Sequence, residues 1–228
     1  MTSSFKYIAA GTIGIASLAS ASAAPLTVDD YCTPSLTSPK GVKEMRPLAD
    51  GTSYAAVSDD GRRIEVFSYK TGKAISTLFS LDAVKGDLRI DDFDGYALSE
   101  NEKKILLWNN SEQIYRHSFT AEYYVYDILR STLKRVSADG PQRNATISHD
   151  GRMVAYTRDN NIYISNLDYG TDNAVTTDGK VNSIIYGSPD WAYEEEFGMQ
   201  NSICWSTDDS VLAFIRFDES KVPVYTFD

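Results

Sequence analysis

Histidine and cysteine are almost missing from this chain, with two of each among 228 residues. The histidines, His117 and His149, are not spaced as a ligand pair, so no metal centre and no other cofactor is expected. Two cysteines, Cys32 and Cys204, exclude a disulfide framework; an exported protein could still join them, but Cys204 sits in the apolar run ICW and reads as a buried thiol. Basic residues are also scarce: 22 Lys and Arg face 32 Asp and Glu, a formal net charge of -10. That balance opposes phosphate backbones and anionic lipid heads, which argues against nucleic acid or a membrane surface as partner and leaves cationic ligands open. A further absence is the G-x-S-x-G elbow that would carry a hydrolase serine, which occurs nowhere in residues 1–228.

The first 25 residues, MTSSFKYIAAGTIGIASLASASAAP, hold one Lys, a long uncharged stretch and then Ala21-Ser22-Ala23, the small-x-small pattern of an export cleavage site. Residues 1–23 therefore read as a signal peptide, followed by a lead-in over 24–44, and the protein is expected to be exported, periplasmic or secreted. The competing reading is a membrane anchor over residues 7–28. It is disfavoured because the stretch is mostly Ala, Ser, Gly and Thr.

Long helical periodicity is lacking beyond this segment, whereas period-two alternation is plain in IEVFSY, YYVYDI, NIYISNL and VLAFIRF. One phrase recurs, a strand, a Ser-x-Asp-Gly type turn and a second strand: AAVSDDGRRIEVFSY, ALSENEKKILLW, ATISHDGRMVAYTR and ICWSTDDSVLAFIRF. Sheets repeating at such intervals indicate an all-β protein, a β-propeller of four-stranded antiparallel blades rather than a β-sandwich. The propeller is expected over residues 45–228. It reads as partial, because VPVYTFD at the end looks like a strand without a partner and would leave an open edge.

Two phrases break the pattern. SPDWAYEEEFG, residues 188–198, has capping residues at Ser188 or Asp190 and an exit glycine at Gly198, so a short helix over Trp191 to Phe197 is expected to carry Glu194, Glu195 and Glu196. Adjacent carboxylates repel by roughly a few tenths of a kcal/mol per exposed pair. With Trp191, Tyr193 and Phe197 read as aromatic anchors behind them, the run is poised either to bind a cation, such as a primary ammonium, or simply to be a solvated acidic turn. EQIYRHSFTAEYYVYD, residues 112–127, sets Arg116 and His117 among Tyr115, Phe119, Tyr123 and Tyr124, an aromatic setting suited to a guanidinium, although a surface arginine at a strand end is the plainer reading. Arg116 could clamp a carbonyl or carboxylate, or hold the glutamates.

Together, DWAYEEEFG and YRHSFTAEYYVYD resemble the propeller domain of the dipeptidyl peptidase IV family within the prolyl oligopeptidase superfamily, and SHDGRMVAYTRDNNIYISNL fits the same template. The resemblance covers most of residues 45–228. It implies a propeller that caps a following α/β-hydrolase domain in a serine peptidase that removes X-Pro or X-Ala dipeptides from peptide N-termini. It also implies substrate-binding roles for Glu195 and Glu196 at the free ammonium and for Arg116 at substrate carbonyls, with Glu194 the less committed neighbour. Family members often dimerise, which implies a homodimer for the full-length form. No catalytic residue is expected in this chain, because the Ser-Asp-His triad is not among residues 1–228, and the chain alone is expected to be inactive. The reading from another class is a non-catalytic exported propeller, a peptide-binding or scaffold module.

Overall fold

The computed structural model describes residues 27–33 and 41–226. The expected signal peptide lies outside the described residues. Two compact units are distinguished, Met1–Gly41 and Val42–Asp228. In the first, a short helix, α1 (Val28–Cys32), starts at a capping box in which the Thr27 hydroxyl accepts from the Asp30 amide while the Asp30 carboxylate accepts from the Thr27 amide. Among the described residues, no helix is long and apolar enough to cross a membrane.

The second unit is built of antiparallel meanders. The first sheet has the order β1 (Lys43–Pro47), β2 (Ser53–Val57), β3 (Arg63–Ser68), β4 (Ala74–Ser80). The second is β5 (Gly95–Leu98), β6 (Lys104–Gln113), β7 (Phe119–Asp127), β8 (Thr132–Arg135). The third is β9 (Arg143–Ile147), β10 (Met153–Arg158), β11 (Asn161–Asn166), β12 (Thr171–Ala174). After these come β13 (Ile184–Tyr186), α2 (Trp191–Phe197), β14 (Ile203–Trp205), β15 (Leu212–Phe214) and β16 (Arg216–Asp218), with β13 paired to β16 and β14 to β15. This is the all-β, partial propeller architecture.

The recurring phrase has a local cause. In all four copies the turn serine, Ser58, Ser99, Ser148 or Ser206, donates its hydroxyl to an Asp or Asn two residues on, at 2.6–2.8 Å. The same hydroxyl accepts the amide five residues on, at 3.0–3.1 Å. The third residue past each serine, Gly61, Glu102, Gly151 or Asp209, has a left-handed backbone with φ from 56° to 73°. Glycine takes that conformation freely, and the acidic replacements at 102 and 209 both use their side chains to reach a preceding sheet. Glu102 accepts from the Ala49 amide at 2.6 Å, and Asp209 accepts from the amides of His149 and Asp150, both at 2.9 Å.

The turn joins the first two strands of the second and third sheets, but the middle two of the first sheet. β1 is thus an extra leading strand. It is fastened to the second sheet by the Tyr96 hydroxyl, which donates to the Glu44 carbonyl at 2.9 Å.

Alternation along the strands feeds two cores at once. Ile105 and Leu107 of β6, with Tyr124 and Tyr126 of β7, pack toward the first sheet with Ala55, Ile64 and Phe79. Their neighbours Leu106, Tyr123 and Val125 pack toward the third sheet with Val154 and Tyr156. Ala155 of β10 then turns the other way, onto Tyr186, Ile203 and Trp205. A sheet buried on both faces by its neighbours is what a propeller blade requires, and it accounts for strands richer in apolar residues than a half-exposed sheet would be. Cys204 departs from expectation: it is an exposed free thiol, as is Cys32. The ICW run alternates, with Ile203 and Trp205 inward and Cys204 between them pointing out.

One inter-sheet contact is sensitive to pH. The His149 ring meets Asp209 through Nδ1 at 2.7 Å and Glu100 through Nε2 at 3.5 Å. The Asp209 bond, helped by the charges of Asp209 and Glu100, raises the imidazole above its ordinary value. Burial alone would raise Asp209, but the His149 and Asp150 amides and the imidazole outweigh it and hold that carboxyl low. The stability contributed by the histidine is therefore fully present below an unfolded value of about 6.5 and is lost as pH rises through the raised folded value; that contributed by the aspartate is lost only in acid. The gap in melting temperature between the complete protein and its His149→Gln variant is expected to be largest near pH 6 and to close toward about pH 9. A gap that stays constant across thermal melts in that range would contradict the assignment.

Candidate functional site

The site is made where a hairpin tip meets a short helix. β6 and β7 extend beyond the rest of their sheet, pairing on as far as Gln113 with Phe119 past an irregularity between Asn109 and Glu112. The tip, residues 114–118, is closed by the Ile114 amide donating to the Ser118 carbonyl at 2.8 Å. From below, the Gln113 side-chain amide donates to the carbonyls of Tyr115 and Arg116, each at 2.7 Å. Arg116 is thus presented on a braced turn.

α2 runs from Trp191 to Phe197, as the capping residues predict. Asp190 is its N-cap and accepts the Tyr193 amide at 2.9 Å, while Gly198, in the left-handed region with φ 66°, closes its end. The approach to the helix is tied to the third sheet: the Asn144 side chain donates to the Gly187 carbonyl and the buried Ser188 hydroxyl, at 3.0 and 2.9 Å.

The three glutamates have three different environments. Glu194 is 0% exposed. Its Oε1 accepts the amides of both His117 (2.9 Å) and Ser118 (2.8 Å), and its Oε2 lies 3.8 Å from Arg143 Nη2. Burial pushes this carboxyl up, but its contacts with Ser118, His117 and Arg143 together hold it below the ordinary range. Arg143, on β9, is itself lowered by burial, against the pull of Glu194 and Tyr115. Each bond from an amide to an enclosed carboxylate is worth roughly 1.5–3 kcal/mol, so Glu194 holds the tip strongly. Glu195 has only 11% of its side chain exposed and faces Arg116, whose Nε lies 3.3 Å from Oε2 and whose side chain is 72% exposed. Glu196 is exposed on the same helix.

Glu194, the less committed neighbour in the expected ammonium role, is spent on the backbone of the Arg116 tip. The aromatic anchors are corrected. Trp191 and Phe197 are 54% and 75% exposed, and Tyr193, also exposed, meets Phe197 at a tilt and Phe217 edge-on. A polar anchor, Glu194, takes their place because the surface under the helix presents two free amides, which an apolar ring cannot satisfy. His117 contributes its amide, and its side chain is exposed. Arg116 pairs with a carboxylate; the arginines that lie over rings among the described residues are Arg46, Arg135, Arg158 and Arg216. Among the described residues, no group of three His, Cys, Asp or Glu is arranged to hold a metal.

Residues 99–228 match the family described as the dipeptidyl peptidase IV (DPP IV) N-terminal region. The chain belongs to this dipeptidyl peptidase IV family. Among curated relatives, the probable dipeptidyl-aminopeptidase B of Pyrenophora teres f. teres is 39% identical over 145 residues, 59% of this chain and 16% of the relative. That of Tuber melanosporum is 33% identical over 177 residues, 73% of this chain and 19% of the relative. The crystal structure of Porphyromonas gingivalis dipeptidyl peptidase 4 superposes with a TM-score of 0.80 at 39% identity, covering 88% of this chain and 29% of that one. The chain thus spans less than a fifth of the length of these two curated relatives. Within the matched region lie both phrases, the Arg116 tip and the glutamate helix. Two members of this candidate site escaped sequence reasoning, Arg143 and Gln113. Each is a single polar residue in a strand, with no local pattern to mark it.

Proposed function

We propose that this chain is the substrate-reading portion of an exported serine dipeptidyl peptidase that removes X-Pro or X-Ala dipeptides from the free amino end of peptides. Glu195 and Glu196 receive the terminal ammonium, Arg116 takes substrate carbonyl groups, and the Ser-Asp-His chemistry lies in a hydrolase domain outside residues 1–228, so this chain by itself turns over no peptide.

The observation that carries the reading is the meeting of Arg116 with Glu195 at 3.3 Å, from elements far apart in sequence. A largely enclosed carboxylate with one solvent-facing cation beside it keeps lone pairs for a second cation. A primary ammonium brings three donors and fits between Glu195 and its exposed neighbour Glu196, while the displaced guanidinium is free to turn to a carbonyl. Recognition of a charged amino end, rather than of an internal peptide unit, makes an exopeptidase.

The test compares X-Pro peptides bearing a free and an N-acetylated amino end on the complete protein. Cleavage is expected to be largely lost on acetylation, and binding of the free peptide to weaken above about pH 8 as the ammonium deprotonates. Equal cleavage of the two peptides would overturn the proposal.

A further inference from the structure

Glu194 is the buried charge that ammonium recognition leaves unused. It cannot reach a ligand, since its side chain is fully enclosed and both oxygens are directed at protein, one at the His117 and Ser118 amides and the other toward Arg143. Resting on the ammonium-binding reading of Glu195 and Glu196, we infer that Glu194 is a positioning residue: it fixes the main chain just after Arg116 onto α2 and so sets the spacing between Arg116 and Glu195.

Three observations lead there. First, Glu194 and Glu195 are consecutive on the helix, so a bond from one to residues 117 and 118 locates the other relative to residue 116 with almost no freedom between them. Second, the Arg116–Glu195 pair cannot fix this distance itself, because the arginine is largely in solvent and a pair with one exposed member constrains little. Third, a single oxygen, Oε1, serves both amides, which favours an ionised acceptor, and Arg143 on β9 supplies the counter-charge at 3.8 Å, beyond hydrogen-bonding distance. Three segments thus converge on one carboxylate: the β6–β7 tip, β9 and α2. Loss of that carboxylate lets the tip move away and leaves Glu195 without its partner, so substrate meets a misplaced pair.

The experiment is a double-mutant cycle in the complete protein on a free-amine X-Pro substrate. Glu194→Ala is expected to lower kcat/KM by about 10- to 100-fold, chiefly through KM; Glu194→Gln, which keeps an oxygen for the amides but loses the charge, is expected to fall between it and wild type. On an Arg116→Ala background the Glu194→Ala loss should shrink to about threefold or less, since the residue acts through Arg116. Losses that multiply fully, or a KM within about twofold of wild type in Glu194→Ala, would overturn the inference. Should Glu194→Ala fail to accumulate, Glu194→Gln carries the cycle, and amide hydrogen exchange on the wild-type protein gives a second reading. The amide of His117, an exposed residue, and that of the buried Ser118 are expected to exchange about 100-fold or more slower than in an unstructured peptide, and exchange of the His117 amide at the unstructured rate would overturn the inference. Glu195→Gln and Glu196→Gln run alongside separate the two ideas. If they raise KM and the Glu194 variants do not, only the positioning role fails; if they leave KM unchanged, the ammonium reading beneath it fails.

Discussion

Replacing Glu195 by Gln in the complete protein is expected to lower kcat/KM for X-Pro substrates by about 10- to 100-fold, with Glu196→Gln nearer the lower end. The magnitude follows from a charge-assisted hydrogen bond being worth roughly 1.5–3 kcal/mol, with each 1.4 kcal/mol a factor of ten. The ordering follows from surroundings. Glu195 is mostly enclosed, so its attraction for an ammonium is screened less than that of Glu196, which stands in solvent. Glu195→Gln also removes the partner of Arg116, and the released guanidinium adds repulsion toward the incoming ammonium. Stability should hardly change, because a pair with one exposed member contributes about 0–1 kcal/mol. The decisive comparison is kinetic: melting temperature within error of wild type and kcat/KM reduced. Unchanged kinetics in both variants would remove Glu195 and Glu196 from the binding site altogether.

The helix carrying these residues was legible to the residue because its signals are local. Asp190 and Gly198 act within one turn of their own positions, and nothing distant is needed to read them. The repeat was legible for the same reason: each turn serine satisfies amides within five residues of itself. What the phrase marks, however, is a turn and not the border of a sheet, so the additional strand β1 could not be seen in it. The roles of the three glutamates depend on rotation about the helix axis relative to a hairpin tip roughly 77 residues earlier in the chain, and successive helical positions differ by about 100°. Composition gave no means to choose which of three identical side chains turns inward. Rings were expected inside and charges outside, as on a helix lying on an apolar core. α2 lies instead against backbone amides, and there a carboxylate is the better buried group. The remaining misreading, Cys204, came from weighing neighbours by hydrophobicity where period two decides.

The largest effect on stability is expected at Phe79. This residue sits on β4, the last strand of the first sheet, and is 1% exposed. Its ring meets Tyr126 of β7 edge to face, with centroids 4.9 Å apart and planes at 79°, and Phe93 on the linker between the sheets at 5.6 Å and 85°. It therefore belongs to both sheets and to their connection. Truncation to Ala removes the buried ring and leaves a hole that Tyr126 cannot fill, since that strand is held between β6 and β8 in its own ladder. Phe79→Ala is expected to cost about 3–5 kcal/mol, part of it the two aromatic contacts. Against a typical domain stability of about 5–15 kcal/mol, such a loss unfolds a substantial share of the protein at moderate denaturant. Phe79→Leu, which refills most of the volume without the ring geometry, should recover more than half of the loss. Denaturant titrations of the complete protein and the two variants measure this directly. If Phe79→Ala costs less than about 1 kcal/mol, the first two sheets are not held together through this ring, and the two-faced packing that defines the blades is carried elsewhere.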